Sequence, residues 1–153
     1  MDIFLSADGG QTFPTLIQNN VANIGSHELC VPNVNTNTAR IMVRAANGTF
    51  FNISNTNFSI TAVPPQAPVL TEADRNGMET REAFITYGGC IPLSNDVYTL
   101  NGIPGATVSL DINNKRFFIK NITTPRKVVV TITATDQNGI SRTSNPITIP
   151  GIL

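Results

Sequence analysis

Between residues 39 and 45 apolar and polar side chains alternate without a break. Ile41, Val43 and Ala45 fall on one side, Arg40, Met42 and Arg44 on the other. A period of two marks a strand with one face buried, so this stretch predicts a half-buried strand of an antiparallel sheet. Asn47-Gly48 then reads as a two-residue type I′ hairpin turn. The return runs through Phe50, Phe51 and Ile53, then Phe58, Ile60 and Ala62 set against Asn57, Ser59 and Thr61. Upstream, residues 2–6 and 12–18 predict a hairpin around Gly9-Gly10. Residues 26–31 predict a short strand, carrying His27 and ended by Pro32.

The pattern breaks at Val63-Pro64-Pro65-Gln66-Ala67-Pro68. Closely spaced prolines cannot continue a central strand and favour a stiff, extended spacer, so the domain boundary is placed here, giving units 1–63 and 64–153. In the second unit strands are predicted over 82–87, 97–100, 107–112, 116–120, 127–135 and 141–149. The strongest is 127–135, with Val128, Val130, Ile132 and Ala134 turned inward. Asn101-Gly102, Asn113-Asn114 and Asp136-Gln137-Asn138-Gly139 supply turns, and Pro146 suits an edge position. Turns at intervals of about 8–12 residues with no helical period predict an all-β fold of sandwich type.

Composition agrees. Ile, Val and Thr together make 47 of 153 residues, with 18 Asn and 10 Pro. That mixture of β-branched residues and turn formers suits strands and tight turns. Charge is sparse (13%) and balanced, ten basic against ten acidic residues, so no basic patch points to nucleic acid. No apolar run is long enough to insert in a membrane as a helix. Met1 is followed at once by strand-like residues with no signal-peptide pattern, yet the Asn- and Thr-rich composition looks extracellular. The expectation is an excised or processed piece of a longer secreted or cell-surface protein. Cys30 and Cys90, the only cysteines, fall in the two different predicted domains, so a bond between them is possible but not favoured.

Ser6-Ala7-Asp8-Gly9-Gly10-Gln11-Thr12-Phe13 has a local logic of its own. Asp8 can accept hydrogen bonds from amides one or two residues on, and Gly9-Gly10 supply the positive φ of a tight turn. Thr12 and Phe13 start the return strand, the ring folding back over the turn. The segment resembles an Asp-box, a hairpin signature of sialidases and other secreted β proteins. That resemblance implies a structural role for Ser6, Asp8, Gly10, Thr12 and Phe13, because the box usually lies away from the active site.

Together with Val31-Pro32-Asn33-Val34-Asn35-Thr36, Ala39-Arg40-Ile41-Met42-Val43 and Phe51-Asn52-Ile53-Ser54-Asn55-Thr56-Asn57-Phe58, residues 2–62 resemble an immunoglobulin-like accessory domain. Such domains follow the catalytic domain in secreted metallopeptidases of Bacteroidetes-type bacteria. Residues 64–153 are similar in a generic way to bacterial Ig-like repeats, chiefly through Thr133-Ala134-Thr135-Asp136-Gln137-Asn138-Gly139. The resemblance implies two Ig-like or fibronectin-III-like antiparallel β-sandwiches in tandem. The first lacks its opening strands, since in such domains the Asp-box hairpin sits mid-fold. The zinc-binding helix with two histidines is missing, for this chain has one histidine in all. An incomplete first unit would expose side chains such as Phe4, Ile41, Val43 or Phe58. It would either pair with another chain or be filled by residues 64–70 or 147–153, whose Ile149, Ile152 and Leu153 are apolar for a tail. Pairing between chains is the favoured expectation.

Residues with chemical potential are few. His27 stands beside Glu28 with no nucleophile placed by a local motif. Glu72, Asp74 and Glu79 form an acidic group that offers a weak Ca²⁺ site, with a solvated polar loop the favoured reading. Asp136, Asn138 and the Gly139 carbonyl offer oxygens to Ca²⁺, but a tight hairpin needs the same residues. No other cofactor is expected. Carbohydrate binding would use exposed aromatic platforms; there is no Trp, Tyr87 and Tyr98 are the only tyrosines, and most of the eight phenylalanines are expected in the core. Four Asn-x-Ser/Thr sequons, at Asn47, Asn52, Asn57 and Asn121, follow from Asn and Thr richness. The function expected is therefore non-enzymatic, a spacer, accessory or adhesive module making protein–protein contacts. The alternative is a fibre subunit completed by a neighbour's strand, and a weaker one is a carbohydrate-binding module.

Overall fold

Strands form where apolar and polar residues alternate, and the computed structural model, which describes residues 1–76 and 81–152, joins them only in antiparallel pairs. Among the described residues there is no helix. The chain divides into two compact units, Met1–Val63 with Pro92–Ser94, and Pro64–Ile91 with Asn95–Leu153. Glu79 of the acidic group and the terminal Leu153 lie outside the described residues.

The first unit holds β1 (Asp2–Ser6), β2 (Thr15–Gln18), β3 (Thr36–Arg44), β4 (Phe51–Ile53) and β5 (Phe58–Ile60). They form one sheet in the order β2-β1-β3-β4, with β5 also on β3. Ile3 and Leu5 face Val43 and Ile41 across the β1/β3 pair, which gathers the apolar alternates on one face. That face carries the core: Leu5, Ala39 and Ile60 are buried, with Ile17, Val34 and Ile41 packed against them. Segment 92–94 joins this unit through Asn33, whose amide donates to the Leu93 carbonyl at 2.8 Å.

Three local expectations are corrected here. Residues 26–31 form no strand, and His27 sits in exposed irregular chain. The return strand β2 starts at Thr15 rather than Thr12, because the Thr12 amide and hydroxyl both bond to the Asp8 side chain. The turn at Asn47-Gly48 is not type I′, which needs two left-handed residues. Only Gly48 is left-handed (φ 74°), its amide donating to the Ala45 carbonyl, while the Asn47 side chain caps the Thr49 amide.

The second unit holds β6 (Val69–Arg75), β7 (Ala83–Gly88), β8 (Val97–Asn101), β9 (Thr107–Asp111), β10 (Arg116–Lys120), β11 (Val128–Thr135), β12 (Ser141–Thr143) and β13 (Ile147–Ile149). One sheet runs β6-β7-β10-β9. The other is built around β11, which pairs with β8, β12 and β13. Both contribute to a single core: Ala83, Ile85 and Tyr87 of β7 and Phe117 and Ile119 of β10 pack with Leu100, Val130, Ile132 and Ile149. Two sheets burying their inner faces together is the arrangement of a β-sandwich.

Here too the sequence expectation needs correcting. Glu72 and Asp74 lie on strand β6, not in a loop; β6 is carried by Leu70 and Ala73, which face the core between exposed polar positions. The stretch 141–149 is two strands broken at residues 144–146, with Pro146 in the break. Residues 64–70 and 147–153 both fall in the second unit, so neither segment fills a gap in the first.

Both cysteines are disulfide-bonded, the outcome that the sequence left open but did not favour. The reason lies in the path of the chain: Cys30 and Cys90 each precede by three residues one end of the Asn33–Leu93 hydrogen bond.

Candidate functional site

The densest polar construction in the chain is the turn after β1. The Ser6 hydroxyl, fully buried, donates to Asp8 Oδ1 at 2.6 Å and accepts from the Gly10 amide at 2.8 Å. Asp8 Oδ1 also accepts from the Gln11 and Thr12 amides, each at 3.0 Å, and Oδ2 accepts from the Thr12 hydroxyl at 2.6 Å. The amides captured are thus three and four residues on, not one or two, because Gly9 (φ 78°) and Gly10 (φ 88°) curl the chain around the carboxylate. The Ser6 and Thr12 hydroxyls, then the backbone amides, hold the Asp8 carboxyl well below the ordinary carboxylate range. A side chain at Gly10 would meet Arg40 Cδ at 3.0 Å, with the Phe13 ring tip 3.8 Å away, so the ring does fold back over the turn.

The turn is also tied down from β3, which sequence reasoning did not reveal. The Thr36 and Thr38 hydroxyls both donate to the Ala7 carbonyl, at 2.9 and 2.8 Å, and the Gly9 amide donates to the Thr38 carbonyl. A Thr-x-Thr at the start of a strand is the only trace of this in the sequence. Every side-chain oxygen of Ser6, Asp8 and Thr12 named above is engaged within the turn.

The other candidates resolve in the same manner. Asp136 Oδ1 accepts from the Asn138 and Ile140 amides, both at 2.9 Å, and the Gly139 amide bonds to the Asp136 carbonyl. Asp136 and Asn138 are thereby parts of a turn, and no group of three or more His, Cys, Asp or Glu side chains that could hold a metal ion occurs among the described residues. Asp74 caps the Arg75 amide, and Glu72 is exposed on the same strand. His27 Nε2 lies 3.1 Å from Gln18 Oε1, with no serine or cysteine placed beside it by any hydrogen bond described.

Tyr87 and Tyr98 are not platforms. Their rings flank Phe117, 5.5 and 5.2 Å away, and burial raises both hydroxyl pKa values, that of Tyr98 to about 12. The phenylalanines, by contrast, are less buried than the sequence suggests: Phe117 is fully enclosed, whereas Phe50, Phe51 and Phe58 are exposed. Phe84 and Phe118 stack at 4.9 Å on the outer face of their sheet, with Arg116 over one ring and Lys120 over the other.

No protein-family model matches the chain, and no curated protein matches it.

Proposed function

We propose that this chain is a non-catalytic β-sandwich module of a secreted or cell-surface bacterial protein, acting as a spacer, accessory or adhesive domain. The observation that carries the reading is the engagement of the polar residues in turns: the Ser6, Asp8 and Asp136 side chains accept from neighbouring backbone amides, and the Thr12 hydroxyl donates to Asp8. A catalytic carboxylate needs a lone pair directed at substrate; these are directed at their own amides. The disulfide suits an oxidising compartment. In this reading both units are Ig-like or fibronectin-III-like. Assays of the purified chain against casein, esters and common polysaccharides should show no turnover above background. Turnover that co-purifies with the protein would remove the non-enzyme reading.

A second reading is an assembly subunit completed by a neighbour's strand. It is favoured by β2, which among the described residues pairs only with β1 and so leaves one side of its backbone open at the sheet edge. Light scattering separates the two: monomers fit the spacer, open-ended polymers fit strand addition.

A further inference from the structure

The face of the first unit's sheet opposite its core carries an unbroken apolar row. Leu16 of β2 lies beside Phe4 of β1, Phe4 beside Met42 of β3, and Met42 beside Ile53 of β4. Leu16 is 43% exposed, Phe4, Met42 and Ile53 are half-buried, and Phe51, in the next row, is 62% exposed. Single exposed apolar side chains are ordinary, but a row spanning four strands is a contiguous patch.

In that next row Asp2 lies opposite Arg44, and Arg44 opposite Phe51. The charge pair is loose, 3.6 Å from Arg44 Nη2 to Asp2 Oδ2. The Arg44 guanidinium lies 4.5 Å above the Phe4 ring, and its Nε has no hydrogen-bond partner. On the other side of the apolar row Ser6 lies opposite Arg40.

We propose that this face docks onto the same face of a second copy of the chain, about a two-fold axis parallel to the strands and between β1 and β3. Such an axis exchanges β1 with β3 and β2 with β4. Asp2 of one copy then lies over Arg44 of the other, and the reverse. Phe4 meets Met42, and Leu16 meets Ile53, so charge meets its opposite and apolar meets apolar. A two-fold axis perpendicular to the strands would instead set Arg44 over Arg40, so charge selects the first. Contact of this kind is isologous and closed, with two sheets about 10 Å apart. Specific interfaces of standard size bury about 800 Å² on each partner. A face of four short strands lies at the low end, and the dimer is accordingly dissociable.

Sedimentation velocity of the full chain, from about 10 µM to about 1 mM, should show a monomer–dimer equilibrium. Leu16→Lys, at an exposed position, should weaken it by at least about tenfold. A mixing experiment tests the charge pairs. Asp2→Arg puts two positive charges at that end of the face, and Arg44→Asp puts two negative ones. Each variant alone should be monomeric, and an equal mixture should form a heterodimer, because both cross-chain pairs are then opposite while the pairs within each chain stay alike. A contact that matters only inside one chain cannot produce that rescue. The proposal is overturned by a chain monomeric at about 1 mM, by a dimer indifferent to Leu16→Lys, as edge-to-edge strand pairing would be, or by folded variants that do not recover on mixing. Should either charge variant fail to fold, Leu16→Lys still decides.

Discussion

At the scale of single residues, Asp8 does the most work for its size. Its hydrogen bonds stabilise the ionised carboxylate in the folded chain. Lowering a carboxyl's folded pKa stabilises the fold above the unfolded pKa, near 3.9, and that contribution fades as pH falls below it. Asp8→Ala should therefore lower the melting temperature of the first unit near neutral pH. Asp8→Asn should flatten part of its loss of stability between about pH 5 and about pH 2. An unchanged acid limb in differential scanning calorimetry would mean that the turn does not hold the carboxylate. Gly102 is the second such residue. Its φ is 107°, and a Cβ there would stand 2.5 Å from the Val129 carbonyl oxygen. Gly102→Ala should destabilise the second unit by about 1–3 kcal/mol, through strain and displacement of the β11 backbone. Urea melts that leave the midpoint in place would contradict this.

At the scale of elements, the two units share one device for interrupting a strand. In the second, the Ser144 amide donates to the Ile132 carbonyl, and its hydroxyl accepts from the Ile132 amide at 2.9 Å. In the first, Ser54 bonds to Ile41 through the same two groups. The hydroxyl stands in for the carbonyl that an unbroken strand would present, so β12 and β13, like β4 and β5, can run end to end along a longer neighbour. Each unit also has an asparagine whose carboxamide pairs with both polar groups of one backbone residue, Asn33 with Val63 and Asn145 with Leu70. Ser144 is buried, and Ser144→Ala would leave the Ile132 amide without an acceptor. The expected cost is about 1–3 kcal/mol. Hydrogen exchange should show Ile132 losing protection; retained protection would show that another acceptor takes the hydroxyl's place.

At the scale of the whole molecule, the disulfide is the strongest constraint on the unfolded chain. It closes a loop of about 60 residues, for which the loss of unfolded-state entropy amounts to about 4 kcal/mol before native-state strain. Reduction should lower stability by about 2–4 kcal/mol, and the double substitution Cys30→Ala/Cys90→Ala should reproduce that loss. Equal urea midpoints with and without reductant would show that the bond is thermodynamically idle.

What the sequence by itself determined is local. Alternation placed β3, β9 and β11, because a strand with one buried face imposes a period of two on its own residues. The spacing Ser6, Asp8, Gly10, Thr12 specified a turn, because its hydrogen bonds span four residues or fewer. Residues 26–31 carry a similar apolar content but form no strand, and β6 hides its inward Leu70 and Ala73 among Glu72, Asp74 and Thr71. Tertiary structure decided those cases, since an extended segment becomes a strand only when another backbone offers it hydrogen bonds. It also decided the break at Ser144, the anchoring of the Asp8 turn by Thr36 and Thr38, and the disulfide. Each depends on a partner ten or more residues distant, and no local pattern records which distant residue will arrive.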